Sequence, residues 1–186
     1  TGSKTLVLGG GGIAGLGWFA GLIYGLYENG VDLRDADRVI GTSAGSATAA
    51  QLRSSQPIDT LFARQTDPAL IADEPPPCMA TLVELLASYP ARMAIANQAE
   101  RMAAMGELAL SANVVTPAVR RAMIARRLSE HDWPERPLTI TAIDIKSGAL
   151  VCFDRSSGVN LVDAVTASCA VPGVWPVVAI GGRQYM

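Results

Sequence analysis

A serine between two glycines, Gly41-Thr42-Ser43-Ala44-Gly45, ends the apolar run Val39-Ile40 and is followed by small residues from Ser46 to Ala50. If the apolar run is a buried strand and the small residues open a helix, Ser43 sits at a sharp strand-to-helix turn, the nucleophile elbow. Such a turn strains the serine backbone and lifts its hydroxyl clear of the chain. It needs glycine at 41 and 45, because a side chain at either place would collide with the neighbouring strand or helix. Gly-X-Ser-X-Gly also occurs as an ordinary small-residue loop, so the surrounding elements must decide.

Upstream, Gly9-Gly10-Gly11-Gly12-Ile13-Ala14-Gly15 follows the short apolar run Lys4 to Leu8 and precedes a helical pattern from Leu16 to Asn29. Gly10-X-Gly12-X-X-Gly15 after a strand fits the dinucleotide fingerprint, which makes a Rossmann-type dinucleotide-binding oxidoreductase a competitor. That fingerprint also wants an acidic residue about 20 positions on, at the end of the second strand. Here the second strand ends in Gly41-Thr42-Ser43, and Asp32, Asp35 and Asp37 all precede it. The other use of such a loop is to point backbone N–H groups at developing negative charge. With the first strand beside the second, a nucleophile and an oxyanion hole share one edge of the sheet.

The other groups that could join Ser43 are few. His131 is the only histidine, within the polar run Ser129-Glu130-His131-Asp132, and reads as a surface residue. For a Ser, acid, His order the acid would lie between Ser43 and His131, yet Asp59, Asp67 and Asp73 fall away from any strand end. Asp144 at a strand end and Asp163 near a helix start both read as structural.

The elements that must position these residues follow from pattern. Two strand-loop-helix units, with Gly30 as a helix stop and Val31 to Asp37 as a polar connection, indicate an α/β fold with a parallel sheet. From Pro57, through Asp67-Pro68 and Glu74-Pro75-Pro76-Pro77, the chain reads as a surface excursion. Leu82, Leu85, Leu86 and Tyr89 recur at helical spacing until Pro90, and Ile95, Ala99, Met102 and Met105 form a second stripe. Thr116-Pro117 opens a helix to about Leu128. This helical middle third suits core-facing packing, with a lid or lipid-facing patch as the alternative. Arg120, Arg121, Arg126 and Arg127 read as a solvated helix face, with phospholipid headgroups as the other partner. Leu138 to Asp144 and Ala149 to Phe153 make a hairpin across Ser147-Gly148. Leu161 to Ser168 is a short helix, and Trp175 to Ile180 with Gly181-Gly182 begins another hairpin.

The chain has 186 residues, 49% hydrophobic but only 5% aromatic, enough for a single domain spanning 1–186 with an aliphatic core. Fifteen basic against seventeen acidic side chains, net charge −2, give no general attraction for nucleic acid. Cys78, Cys152 and Cys169 lack metal-ligand spacing and suit a reducing, cytoplasmic setting. No apolar run reaches the roughly 18 residues that span a bilayer, which leaves peripheral membrane contact as an expectation.

The sequence resembles the patatin-like phospholipases over essentially its whole length. The resemblance rests on Gly10-Gly11-Gly12-Ile13-Ala14-Gly15 as the glycine-rich oxyanion loop, on Gly41-Thr42-Ser43-Ala44-Gly45 as the elbow, and on Ala167-Ser168-Cys169-Ala170-Val171-Pro172-Gly173 as the small-residue Pro-Gly segment. It implies a three-layer fold with a mostly parallel central sheet, helices on both faces and a lid-like helical excursion. It also implies a Ser-Asp dyad acting on lipid acyl esters, with Ser43 as nucleophile and Gly10, Gly11, Gly12, Ala14 and Gly15 around the oxyanion hole. No metal or cofactor is called for. Two departures stand out: Ala14 replaces the family's usual cation, and the family's Asp-Gly comes directly after the strand that ends here at Tyr185-Met186. The base is therefore expected beyond Met186, in a longer protein or on a separate chain that stays bound. A catalytically inactive binding or regulatory protein of the same fold is the alternative, and the dinucleotide-binding reading is third.

Overall fold

Parallel pairing of the first two strands brings the two glycine-rich turns to one edge. In the computed structural model, which describes residues 2–67, 69, 79–111 and 115–186, β1 (Thr5–Leu8) and β2 (Arg38–Gly41) run side by side with Leu8 opposite Gly41. The sheet order is β1-β2-β3-β4, with β3 (Leu138–Ile143) parallel to β2 and β4 (Leu150–Phe153) antiparallel to β3. Helices α1 (Gly12–Glu28), α2 (Ala44–Leu52) and α3 (Ile58–Thr66) come from the first part of the chain. Helices α4 (Met79–Met93), α5 (Gln98–Leu110) and α6 (Pro117–Arg127) fill the middle, and α7 (Leu161–Ser168) follows the β3–β4 hairpin. This is the expected α/β arrangement, a mostly parallel central sheet flanked by helices.

All nine residues of α2 are buried. Its sequence, Ala-Gly-Ser-Ala-Thr-Ala-Ala-Gln-Leu, offers no bulk, so the helix lies close against β2 and β1. Val39, Ala47, Ala49, Ile140, Val165 and Ala167 are shut away from solvent in one continuous core. Small and β-branched side chains pack there at high density, with Phe19, Phe153 and Tyr185 as the buried aromatics of the same core. Side-chain caps mark three helix starts: Asn97 for α5, Thr116 for α6 and Asn160 for α7 each accept a hydrogen bond from a first-turn N–H.

Several expectations need correction. Helix α1 begins at Gly12, within the glycine loop, instead of at Leu16. The apolar periodicity starts at Leu16, and the first turn, being exposed, carries no such signal. The reading of a surface excursion from Pro57 onward misses α3, whose Ile58 is buried and whose Phe62 stacks on Tyr24 at 4.3 Å. Helix α4 does not stop at Pro90 but continues to Met93, with the Ala94 N–H bonded to the Pro90 carbonyl. Of its apolar stripe Leu85 is buried, whereas Leu86 is 63% and Tyr89 45% exposed. Ile95 lies before α5, so the second stripe spans two elements. Pro68 and the segment Asp73 to Cys78, with its three prolines, lie outside the described residues, as does Thr1.

A second hairpin, β5 (Val178–Ile180) and β6 (Arg183–Tyr185), turns on Gly181 and Gly182, both at positive φ. It is sewn to the end of β3 by reciprocal bonds between Ile143 and Met186 and by Ile145 N–H to the Gln184 carbonyl at 3.0 Å. Asp144 locks this junction. Its carboxylate, almost fully buried, accepts bonds from the Ser147 N–H and hydroxyl at 2.8 Å each and pairs with Arg183 Nε at 2.8 Å.

The Ser147 N–H, then its hydroxyl, then Arg183 hold the Asp144 carboxyl below the usual carboxylate range. A pKa lower in the folded than in the unfolded chain stabilises the fold at pH values above the unfolded pKa of about 3.9, and that stability is lost as pH falls through the folded pKa. Asp144→Asn is accordingly expected to lower the urea midpoint at pH 7, with the gap to the parent narrowing below pH 4. A gap that stays constant between pH 7 and pH 3 would refute this.

Candidate active site

Thr42 N–H bonds to the Leu8 carbonyl at 3.0 Å and Gly45 N–H to the Gly9 carbonyl at 2.9 Å, so the turn after β2 is stitched to the loop after β1. A Cβ on Gly45 would overlap the Leu8 carbonyl, and one on Gly41 would come within 2.5 Å of the Gly45 oxygen and 2.6 Å of Ser46 Cα. Only glycine fits either place. Squeezed between them, Ser43 adopts φ 54° and ψ −121°, the one non-glycine at positive φ among the described residues. Such a conformation costs on the order of 1–3 kcal/mol and persists only where its surroundings enforce it.

The enforcing contacts come from the first turn of α2 and from the end of α7, far away in the chain. Ser43 N–H donates to Ser168 Oγ at 2.8 Å. Its carbonyl accepts from Ser46 Oγ at 2.6 Å, from Ser46 N–H at 2.8 Å and from the Cys169 thiol at 3.3 Å. With both backbone groups tied down, the half-buried side chain is what remains to face outward.

Beside it lies the glycine loop. Gly12 has φ 59°, and no side chain caps α1, so the first-turn N–H groups of Gly12, Ile13 and Ala14 are left without intrahelical acceptors at a solvent-exposed helix end. Gly10 approaches Ser43 most directly: a Cβ there would stand 3.7 Å from Ser43 Cβ. Gly15 differs from the others. Its N–H is taken by the Gly11 carbonyl at 2.8 Å, and a Cβ on it would press on Ala44 Cβ at 3.4 Å, so it serves helix-to-helix packing instead of offering a donor.

From Ser43 a cleft of about 310 Å³ opens between α1, α4, α6 and the loop after α7. Leu16, Leu82, Leu85, Val171, Val174 and Trp175 line it, with Ile13 at its edge. Arg120 and Arg127 also face it, which corrects the reading of the four arginines as one solvated face: Arg120 is only 4% exposed and its guanidinium lies over the Trp175 ring at 3.9 Å. Arg121, by contrast, pairs with Asp163 at 2.6 Å, and His131 is exposed with Nε2 against the Ala125 carbonyl. Among the described residues the cleft lining contains no carboxylate and no histidine.

Pattern reading did not single out Ser46, Ser168, Cys169 or Arg120 as parts of this site. For Arg120 a signal existed: it and Arg127 are seven positions apart, two helical turns, and so share a face that Arg121 and Arg126 do not. Ser168 and Cys169 fall in the small-residue Pro-Gly segment, but nothing local in it points to Ser43, their partner more than 120 positions away.

A strand-turn-helix serine beside a glycine-rich helix start, on a mostly parallel sheet, defines a class of α/β protein. A sequence profile described as Patatin-like phospholipase matches residues 6–186, and the chain belongs to that family. Among solved structures it is similar to the type III effector protein ExoU, with 21% identity and a TM-score of 0.49 over 92% of this chain and 40% of that one. It is also similar to VipD from Legionella pneumophila, with 13% identity and a TM-score of 0.45 over 98% of this chain and 45% of that one. The chain thus spans less than half the length of either. No curated protein matches it.

Two measurements test the geometry. Gly45→Ala should cost about 3 kcal/mol or more, because backbone must move, whereas Gly17→Ala in the open middle of α1 should gain about 0.5–1 kcal/mol. Urea unfolding of both variants reads the contrast, and equal effects would refute the packing account. Ser168→Ala, which strips the Ser43 N–H of its acceptor, should cost about 1–3 kcal/mol in the same assay.

Proposed function

We infer that the protein is a serine acyl hydrolase of lipid esters. The observation that carries this reading is the strained Ser43 at the mouth of an apolar cleft, next to the uncapped start of α1. Family membership supplies the lipid; the residues supply the steps. An acyl chain lies along Leu16, Leu82, Leu85 and Trp175, which brings the ester carbonyl to Ser43. The hydroxyl oxygen attacks the carbonyl carbon, and N–H groups of Gly10, Gly11, Gly12 and Ala14 receive the charge that develops on the carbonyl oxygen.

The Ser43 proton passes to a carboxylate, and from there to the departing alkoxide as the acyl-enzyme forms. Water then attacks the acyl-enzyme with the same carboxylate as base, releasing a fatty acid and restoring Ser43. We assign the base to an aspartate following Met186. The backbone of Met186 is tied to Ile143 at the end of β3, the neighbour of β2, which supports delivery of the next residues toward the edge that carries Ser43. Neither Asp144, closed into its pair with Arg183, nor Asp163, paired with Arg121, is available for the role.

A second reading is a lipid-binding protein of the same fold, favoured by the lack of a carboxylate among the described residues that line the cleft. Among the described residues no helix is long and apolar enough to cross a membrane, so lipid would be met at a surface or in monomeric form.

A fluorophosphonate probe on the full-length protein separates the two readings. Labelling at Ser43 that disappears in Ser43→Ala, with ester hydrolysis falling by about 10³-fold or more, is the expected result. Intact protein that takes up no label would leave the binding reading in place.

A further inference from the structure

The far end of the sheet carries a second cleft, of about 320 Å³, which acyl transfer at Ser43 does not use. It opens where β2 and β3 begin, at Arg38 and Leu138, and where β4 has just ended, at Asp154 to Ser156, whereas Ser43 lies beyond the other end of β2. We propose that this cleft binds a mononucleotide, with Arg38, Arg136 and Arg155 on the phosphate, Glu135 and Asp154 on the ribose hydroxyls, and the Trp133 ring against the base. The site stands apart from the hydrolase reading and does not depend on it.

Three guanidiniums converge here from separate parts of the chain: the start of β2, the approach to β3 and the short turn after β4. All three residues are exposed, and none of them forms an ion pair with a carboxylate among the described residues. Arg136 gives Nη2 to the Ala36 carbonyl at 3.3 Å, a single bond that fixes its place. Asp32, held below the usual carboxylate range first by Arg34, and Asp37, held so first by the Lys4 N–H, take only a lesser contribution from Arg136. Planar guanidinium forks grouped in this way match the oxygens of a phosphate.

The rest of the lining narrows the anion to one that carries hydroxyls and a flat ring. Two carboxylates, Glu135 and Asp154, share the cleft and would repel a bare polyanion, but carboxylates are the acceptors that ribose hydroxyls use in nucleotide sites. Asp154 is oriented by the Ser156 N–H at 2.8 Å and the Ser156 hydroxyl at 2.6 Å. Trp133 gives its indole N–H to the Val159 carbonyl at 2.6 Å and packs partly on the core, so the ring is held in one orientation while it lines the cleft. Pro134 and Pro137 stiffen the same wall by fixing φ. A fixed aromatic ring is a stacking platform for a base. The volume lies at the lower end of small-molecule sites, which suits one nucleotide unit and not two.

The test titrates the four ribonucleoside monophosphates, ribose 5-phosphate and inorganic phosphate into the full-length protein, read by calorimetry and by tryptophan fluorescence. At least one nucleotide should bind with a Kd below about 1 mM, and about tenfold or more tighter than ribose 5-phosphate and inorganic phosphate, the difference that base stacking supplies. Its affinity should fall about tenfold in Arg38→Gln and in Arg155→Gln, exposed positions whose substitution spares the fold. The fluorescence change it causes should vanish in Trp133→Phe. Absence of nucleotide binding below that Kd would overturn the proposal. Inorganic phosphate binding as tightly as the best nucleotide would overturn it as well, since the cleft would then serve the free ion. So would an affinity unchanged in both arginine variants, because the nucleotide would then sit elsewhere.

Discussion

Contact between the turn after β2 and the end of β1 is the constraint on which the rest of the site depends. The carbonyls of Leu8 and Gly9 each accept an N–H from that turn, and Gly45 lies so close to them that no side chain fits. Given that closeness, residue 43 has little choice of backbone conformation, and the serine there is held at positive φ at the border of the cleft. The same closeness seats the glycine loop beside Ser43. Exposure of Ser43 and of the N–H groups beside it is therefore one packing decision, made where two parallel strands end in register.

Strain of this kind must be offset by contacts elsewhere, and here α7 provides them. Ser168 accepts from the N–H of Ser43 and the Cys169 thiol donates to its carbonyl, while the buried face of α7 packs on β3. Small residues at the end of α7 allow that approach. The loop that follows, with Gly173 at positive φ beneath Leu108, then carries Val174 and Trp175 into the wall of the cleft. One short helix thus couples the conformation of the proposed nucleophile to the shape of the space in front of it.

The cleft is where apolar and charged surface meet. Leu82 and Leu85 from α4 and Trp175 from the α7 loop suit an alkyl chain, and Arg120 and Arg127 place positive charge on the same wall. Helix α4 turns Val83, Leu86 and Tyr89 to solvent, so apolar surface continues from the cleft wall onto the outside of the molecule.

Much of this was legible without coordinates. The order strand, glycine loop, helix, strand, Gly-X-Ser-X-Gly carries local steric demands, and local demands are written in adjacent residues: Gly41 and Gly45 are glycine because of what stands next to them. Capping residues such as Thr116 with Pro117, and the limits of α7 at Leu161 and Ser168, are equally local. Helix α3, the passage of α4 through Pro90 and the burial of Arg120 were not legible. Each involves partners distant in sequence: Tyr24 for Phe62, the Leu108, Val174 and Trp175 cluster that α4 packs against through Leu85, and Trp175 for Arg120. By itself the sequence determined the fold class, the elbow and the glycine loop. Tertiary structure decided that Gly15 is a packing residue, that α7 clamps the Ser43 backbone, and that two of four arginines on α6 face the cleft, because long-range contacts, unlike turns and caps, leave no fixed spacing to read.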